Sequence, residues 1–289
     1  MIYDCFTFFN ELDLLEIRLN ILNDTVDKFV LVEATRTHQG KTKPLYFSEN
    51  RDRFRSFQHK IIHIVVDDYP TFFSKWRMPS AWDIEKHQRN AIAKGLIDCK
   101  SEDVIIVSDL DEIPDPKQVT IFKDIPGLKV FQQRDFYYYL NCVGLDNSEE
   151  WWYGSVMAHF NDFKNPQELR SVSKKMHAGK MRILKDRRYR FFKSIFHSIY
   201  RKNITMIDRG GWHFGYLGGV NKIIEKLEAF AHAEYNKEIF KNKLTVQTAI
   251  NNGMDLFGRG IVYSFIELDD SFPTYITENK DRLKHLIKS

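Results

Sequence analysis

Short, largely apolar runs recur along the first third of the chain: Ile2 to Phe8, Phe29 to Val32, Ile61 to Val66 and Val104 to Val107. Runs of this length, rich in β-branched and aromatic residues, predict strands, and those at Phe29 to Val32 and Val104 to Val107 read as buried. Between the first two the period changes. Leu12, Leu15, Leu19 and Leu22 recur at helical spacing behind Asn10, a predicted N-cap with Asp13 at the third helical position. A further helix is predicted over 81–97, carrying Trp82, Glu85, His87, Arg89 and Asn90, and residues 34–50 read as a polar loop with Gly40 and Pro44. Strand, helix and strand in alternation predict an α/β fold, a mostly parallel sheet joined by crossover helices. Past residue 110 the pattern predicts a less regular α+β half. Lys129 to Gln133 and Phe136 to Leu140 resemble paired strands, and Val220 to Glu234 and Lys237 to Asn251 resemble consecutive amphipathic helices. No repeat, low-complexity tract or linker divides the sequence, so one domain over 1–289 is expected.

Composition narrows the class. The chain has 289 residues, 43% of them hydrophobic and 14% aromatic, which is enough for a packed core. Cys5, Cys99 and Cys142 are widely spaced and form no C-x-x-C pair, so free thiols are expected. The first strand leaves no room for a signal peptide, and no apolar run approaches the roughly 20 residues that cross a bilayer. These features predict a soluble cytoplasmic protein. The net charge of +4 is unevenly spread: eleven Lys or Arg residues and one acid, Asp186, fall between Lys174 and Lys202, among Tyr189, Phe191, Phe192, Phe196 and Tyr200. Such a stretch is a solvated basic face, a peripheral contact with anionic membrane or a diphosphate-linked acceptor, or a nucleic-acid surface. The last fits worst, because no nucleic-acid motif accompanies it.

The chemistry concentrates in VIIVSDLDEIPDP. Asp109, Asp111 and Glu112 follow a buried strand directly, and Pro114 and Pro116 force an irregular exit. Open α/β sheets bind ligands outside the carboxyl ends of their strands. Asp109 and Asp111, two apart, suit one hard divalent cation, which commonly takes one or two carboxylates and substrate phosphate oxygens. Glu33 also ends a predicted strand, expected beside that of Asp109, where it could accept from a ribose or base or orient a basic residue. Arg89, with Asn90 next to it, offers a planar fork for a diphosphate. Five glycines between Gly210 and Gly219 surround Trp212, His213 and Tyr216, suggesting a tight backbone path beside a bound ring. His213 adds an imidazole that Mn²⁺-type metals accept, and Trp212 could stack on a sugar or base. His232 and Glu234, two apart on a predicted helix, are not expected to share a face. No G-x-x-x-x-G-K-[ST], G-x-S-x-G, H-E-x-x-H or G-x-G-x-x-G motif occurs where it would act.

With these residues placed, the chain resembles glycosyltransferase family 17. The segments that carry the resemblance are FNELDLLEIRLNIL, VDKFVLVEATRTHQGKTKPLYF, EDVIIVSDLDEIP and GGWHFGYLGG, in that order over residues 9 to 219. The resemblance implies a GT-A type fold and a nucleotide-sugar donor, UDP-GlcNAc foremost among UDP-sugars, with inversion to a β-linkage. It places Asp109 and Asp111 on a D-x-D-like motif for Mn²⁺ or Mg²⁺, with His213 completing the metal shell and Glu33 on the strand-end glutamate. Arg89, Asn90 and Trp212 are expected to contact the donor, and the acceptor is expected to be a glycan or a lipid-linked saccharide. A carboxylate among Glu112, Asp135, Glu228 and Glu234, with Glu234 preferred, is expected to deprotonate the acceptor hydroxyl. A metal-dependent phosphohydrolase or nucleotidyltransferase, and a carbohydrate-binding protein without catalysis, stand as alternatives.

Overall fold

The computed structural model describes residues 1–68, 79–144, 151–185 and 204–288, apart from the side chains of 177–185. Strands and helices alternate from the start: β1 (Ile2–Phe8), α1 (Leu12–Leu22), β2 (Lys28–Ala34), α2 (Tyr46–Glu49), β3 (Ile61–Val66), α3 (Ala81–Asn90) and β4 (Val104–Asp109). The centre of the chain forms β5 (Glu112–Pro114), α4 (Pro116–Phe122), β6 (Leu128–Tyr137), β7 (Cys142–Gly144), β8 (Trp151–His159) and α5 (Pro166–Lys185). The last third adds β9 (Ile204–Ile207), β10 (Gly211–Gly215), α6 (Gly219–Ala229), α7 (Glu238–Lys241), α8 (Lys243–Asn251), β11 (Tyr263–Phe265) and α9 (Thr274–Glu278).

One sheet runs in the order β11-β7-β6-β8-β4-β1-β2-β3, with β9 and β10 on β6 and β5 on β10. The N-terminal strands β4, β1, β2 and β3 are parallel, as the alternation predicts, whereas β8 meets both β4 and β6 antiparallel. The apolar character of β1, β2 and β4 follows from cover on both faces, whereas β3 is the edge strand and buries only Val66. Phe6, Leu31 and Ile106 point into a core with α1, while Cys5, Val30 and Val107 point into a second core that includes Leu169 of α5. A third cluster gathers Tyr137, Ile223, Val246 and Ile250 around α6 and α8. Cys5 and Cys142 are buried and Cys99 is half-buried, all three as free thiols. Among the described residues no helix is long and apolar enough to cross a membrane.

Several local expectations need correction. Glu11, not Asn10, precedes α1 and gives no side-chain cap, while Asp13 pairs with Arg53 at 2.5 Å. The helix expected over 81–97 ends at Asn90 and tightens into a 3₁₀ turn over 91–95; its start carries a Ser80–Asp83 capping box. Residues 128–137 form one strand and no hairpin, because β8 lies along one edge of β6 while β9 and then β10 pair along the other. The helix expected to reach Glu234 stops at Ala229, where Phe230 turns extended. Glu33 is not on a strand neighbouring Asp109, since β1 lies between β2 and β4.

Candidate active site

Asp109 ends β4 at the carboxyl edge of the parallel half-sheet, opposite Thr7 of β1. The irregular turn that follows is held from below by Arg18 of α1, which is fully buried. Its guanidinium grips Asp4 through two bonds of 2.6 and 2.8 Å, and Nη1 donates to the carbonyls of Asp109, Leu110 and Glu112 at 2.9–3.1 Å. One charged side chain therefore satisfies successive backbone acceptors of the turn, and the Ser155 hydroxyl shares the Glu112 carbonyl with it at 2.9 Å. Strand β5 then pairs antiparallel with β10, setting Glu112 opposite His213 and Ile113 opposite Trp212. That pairing explains Gly211: at φ +138° an added Cβ would lie 2.2 Å from the Ile113 carbonyl oxygen. The tight backbone path of this glycine-rich stretch thus arises where it passes β5.

Around Asp109 lies a buried network of alternating charge. Arg89 reaches Asp109 Oδ1 at 2.8 Å and Glu85 at 2.6 Å, while Arg170 of α5 reaches Asp109 Oδ2 at 2.9 Å and Glu112 at 2.5 Å. Trp152 Nε1 donates to Glu112 at 2.7 Å, and the Asp109 backbone N–H donates to the other Glu112 oxygen at 2.9 Å. Burial alone would raise the Asp109 pKa, but the guanidinium groups of Arg170 and Arg89 hold it well below the usual carboxylate range. Glu85 behaves likewise: burial opposes its charge, yet Arg89 and Lys174 pull its pKa down to about 2. Glu112 is displaced the other way, because burial dominates, Asp109 adds repulsion, and Arg170 offsets only part of it.

Asp111 belongs to a second group. Lys226 of α6 donates to its Oδ2 at 2.8 Å, and His213 Nε2 lies 3.8 Å from its Oδ1. Asp111 is partly buried, and desolvation favours its neutral form, but Lys226 and His213 together lower its pKa. His213 is fixed on its other nitrogen by Asp135 at 2.6 Å, and Trp152 stacks on its ring at 4.6 Å between centroids. Burial by itself would depress the His213 pKa; the carboxylates of Asp135 and Asp111 outweigh it and push it up to about 9. These donors bear on the expected metal. Metal-bound histidines characteristically hand their second nitrogen to a carboxylate, as His213 does to Asp135, and Asp111 Oδ1 faces the free side of that ring. Asp111 and His213 therefore fit one hard cation. Asp109 does not, since both of its oxygens are held by arginines. Among the described residues no three His, Cys, Asp or Glu side chains form a ready metal cage, so a cation held there would need further ligands from substrate or water.

Asp109 and Asp111 open into a cavity of about 440 Å³. Its wall carries six basic side chains, Arg36, Lys43, Arg89, Arg170, Lys174 and Lys226, against four acids, Glu11, Glu85, Asp109 and Asp111. Trp82, Trp152, Phe8, Phe9, Phe230, His38 and His232 supply the aromatic part. The expected residues divide here. Asp109, Asp111 and Arg89 line the cavity. His213 sits behind it through Asp111, and Glu33 is buried beneath it. Glu33 accepts from the Phe47 N–H at 2.9 Å, meets His63 at 3.2 Å and lies 3.7 Å from Lys43, so it orients a basic residue of the wall. Asn90 instead accepts from the Gln167 N–H at 3.2 Å, at the start of α5. Trp212 faces a separate groove, with its indole N–H on the Ser271 carbonyl at 2.9 Å. Glu234 is half-exposed and outside the lining. It does meet His232, against expectation: the two lie in a 3₁₀ turn, and His232 Nδ1 is 2.6 Å from the Glu234 carboxylate. Glu228 points to Lys241 at 3.4 Å.

Arg18, Arg170, Trp152, Lys226 and His38 were not anticipated. Arg170 lies just upstream of the basic stretch drawn from Lys174, most of which falls outside the described residues. Within it, Lys174 joins the cavity through Glu85 at 3.2 Å and over the Trp82 ring at 5.3 Å. The Trp151–Trp152 pair was the available signal for Trp152, since strand alternation sends one of two neighbours to each face.

The sequence also matches known proteins. Beta-1,4-mannosyl-glycoprotein 4-beta-N-acetylglucosaminyltransferases of Homo sapiens and Rattus norvegicus are each 30% identical to it over 124 residues, and that of Mus musculus is 29% identical. These matches cover 41% of this chain and only 22% of the length of each relative. The crystal structure of M. tuberculosis glucosyl-3-phosphoglycerate synthase aligns over 96% of this chain and 92% of its own, at 14% identity and a TM-score of 0.35. The profile of glycosyltransferase family 17 matches residues 1–177, more than half of the sequence and the part that contains the Asp109–Glu112 turn and Arg170, and the chain belongs to that family.

Proposed function

We infer that this chain transfers a sugar from a UDP-sugar, UDP-GlcNAc foremost, to a hydroxyl of a glycan or lipid-linked saccharide, with inversion to a β-linkage in a GT-A type site. The observation that carries this reading is the cavity itself. Strand-end carboxylates face an excess of basic side chains beside indole and phenyl rings, the complement of a diphosphate joined to a flat base and a sugar. The donor sugar and linkage are taken from the N-acetylglucosaminyltransferase relatives.

Each residue then has a role. Lys226, Lys43 and Lys174 bring cationic charge to the diphosphate from the cavity wall. Arg89 and Arg170 are spent on Asp109 and Glu112, and so keep the turn rigid and its charge fixed before substrate arrives. Asp111 and His213 would hold Mn²⁺ or Mg²⁺, which, when bound, offsets the negative charge gathering on the leaving nucleotide. Acceptor deprotonation falls to the His232–Glu234 pair: His232 lines the cavity, and Glu234 fixes its tautomer and supports the imidazolium that forms. As the acceptor oxygen attacks the anomeric carbon, the bond to the diphosphate oxygen breaks and the acceptor proton passes to His232.

A donor-hydrolysis and transfer assay across UDP-, GDP- and CDP-sugars, with and without Mn²⁺, tests this reading. Metal-stimulated release of UDP with transfer of the sugar is expected. Release of phosphate or pyrophosphate would instead indicate the phosphohydrolase or nucleotidyltransferase alternative, and no thermal stabilisation by any nucleotide sugar would indicate a protein without this activity.

A further inference from the structure

Strand β8 carries two consecutive tryptophans, and the pleat sends them to opposite faces of the sheet. Trp152 faces the cavity. Trp151 faces away, opposite Arg134 of β6, and Arg134 is in turn opposite Trp212 of β10. Side chains at paired positions share a face, so two indoles with a guanidinium between them form a row across three strands. The row lines a groove of about 670 Å³ that shares no lining residue with the cavity. Trp212 Nε1 on the Ser271 carbonyl at 2.9 Å and Arg134 on the Ser271 hydroxyl at 3.1 Å fasten the segment around Ser271 to this row. Trp151, half-buried, spends its indole N–H on no hydrogen bond among the described residues.

We propose that this groove is a second binding site, for a neutral saccharide. Its ionisable lining consists of Asp115, Asp269 and Asp270 against Lys117, Arg134 and Arg209, which sum to no net charge. A nucleic acid or a phosphate-rich ligand calls for positive excess, which the groove lacks. A sugar ring has what the groove matches: an apolar C–H face for an indole, and hydroxyls that both donate to carboxylates and accept from cations. Trp151 is the stacking platform and Asp270, exposed on the rim, accepts from hydroxyls. In a glycosyltransferase this site would anchor a distal part of a long acceptor; that clause rests on the proposed reaction, whereas the binding site does not.

Saturation-transfer NMR on the whole protein, without donor or metal, tests the site using trisaccharides of β-linked GlcNAc, β-linked glucose and α-linked glucose. At least one should bind saturably. Trp151→Ala should weaken it at least tenfold and Trp151→Phe less, with UDP affinity in the cavity unchanged; Asp270→Ala, a rim substitution that leaves the sheet untouched, should weaken it as well. The proposal is overturned if no trisaccharide binds, if binding survives both Trp151→Ala and Asp270→Ala, or if UDP displaces the saccharide. Groove binding in a protein that turns over no nucleotide sugar would uphold this site and remove the transferase reading instead.

Discussion

Replacing Arg170 with methionine isolates the interaction on which the site's rigidity depends. The substitution keeps most of the side-chain volume of a residue that is 1% exposed. It removes the cation that bonds Asp109 at 2.9 Å and Glu112 at 2.5 Å. Asp109 retains Arg89, but Glu112 is left as a buried carboxylate with only the Trp152 indole and the Asp109 amide as donors. Removing one partner of such a buried pair typically costs about 3–5 kcal/mol. A domain has only about 5–15 kcal/mol of stability in total. At about 2–4 °C per kcal/mol for large domains, the melting temperature should fall by about 6–20 °C. Glu112→Gln removes the orphaned charge, so R170M/E112Q should recover most of the loss, and urea unfolding of all four proteins gives the coupling directly. Acid should help R170M. Burial already holds the Glu112 pKa above its unfolded value, so its charged form destabilises the fold and protonation relieves it. Loss of Arg170 raises that pKa further, and the deficit should therefore shrink as pH falls from about 8 to about 5. A penalty below about 1 kcal/mol, or strictly additive single substitutions, would refute the assignment of Arg170 as the counter-ion of Glu112.

Asp111→Asn should lower sugar transfer at least about a hundredfold, with the circular dichroism spectrum unchanged, because it weakens charge placement at the leaving group and leaves the Arg18 clamp intact. Glu85→Gln should cost about 3 kcal/mol near neutral pH, from a pKa held at about 2. A depressed carboxylate pKa contributes above its unfolded value, so that penalty should vanish as pH drops from about 5 toward 2, read by denaturant titration at each pH. Gly211→Ala should cost at least about 1–3 kcal/mol from backbone strain at positive φ. It should also reduce transfer, since the new Cβ pushes β10 from β5 and shifts Glu112 and His213 together; a variant with wild-type melting and activity would contradict the close approach to Ile113.

What the sequence determined by itself is what short-range rules control. Periodicity located β1, β2, β3 and β4, because short runs of β-branched and aromatic residues favour strands whether central or, like β3, at the edge, and the acids after Val107 were legible as a strand-end site because the run before them is unbroken. The tertiary structure decided everything that depends on which strands become neighbours. The Asp135–His213 pair spans 78 residues, Arg170–Glu112 spans 58 and Lys226–Asp111 spans 115, and no local spacing encodes them. Arg18 is the one cation of α1, and only the packing of that helix beneath the turn gives it three carbonyls and a buried carboxylate to hold. Trp212 shows the limit most sharply. Its neighbour His213 reaches the cavity side, and the two-residue period of β10 then requires Trp212 to face the far groove, a choice fixed by pairing with β5 and β6.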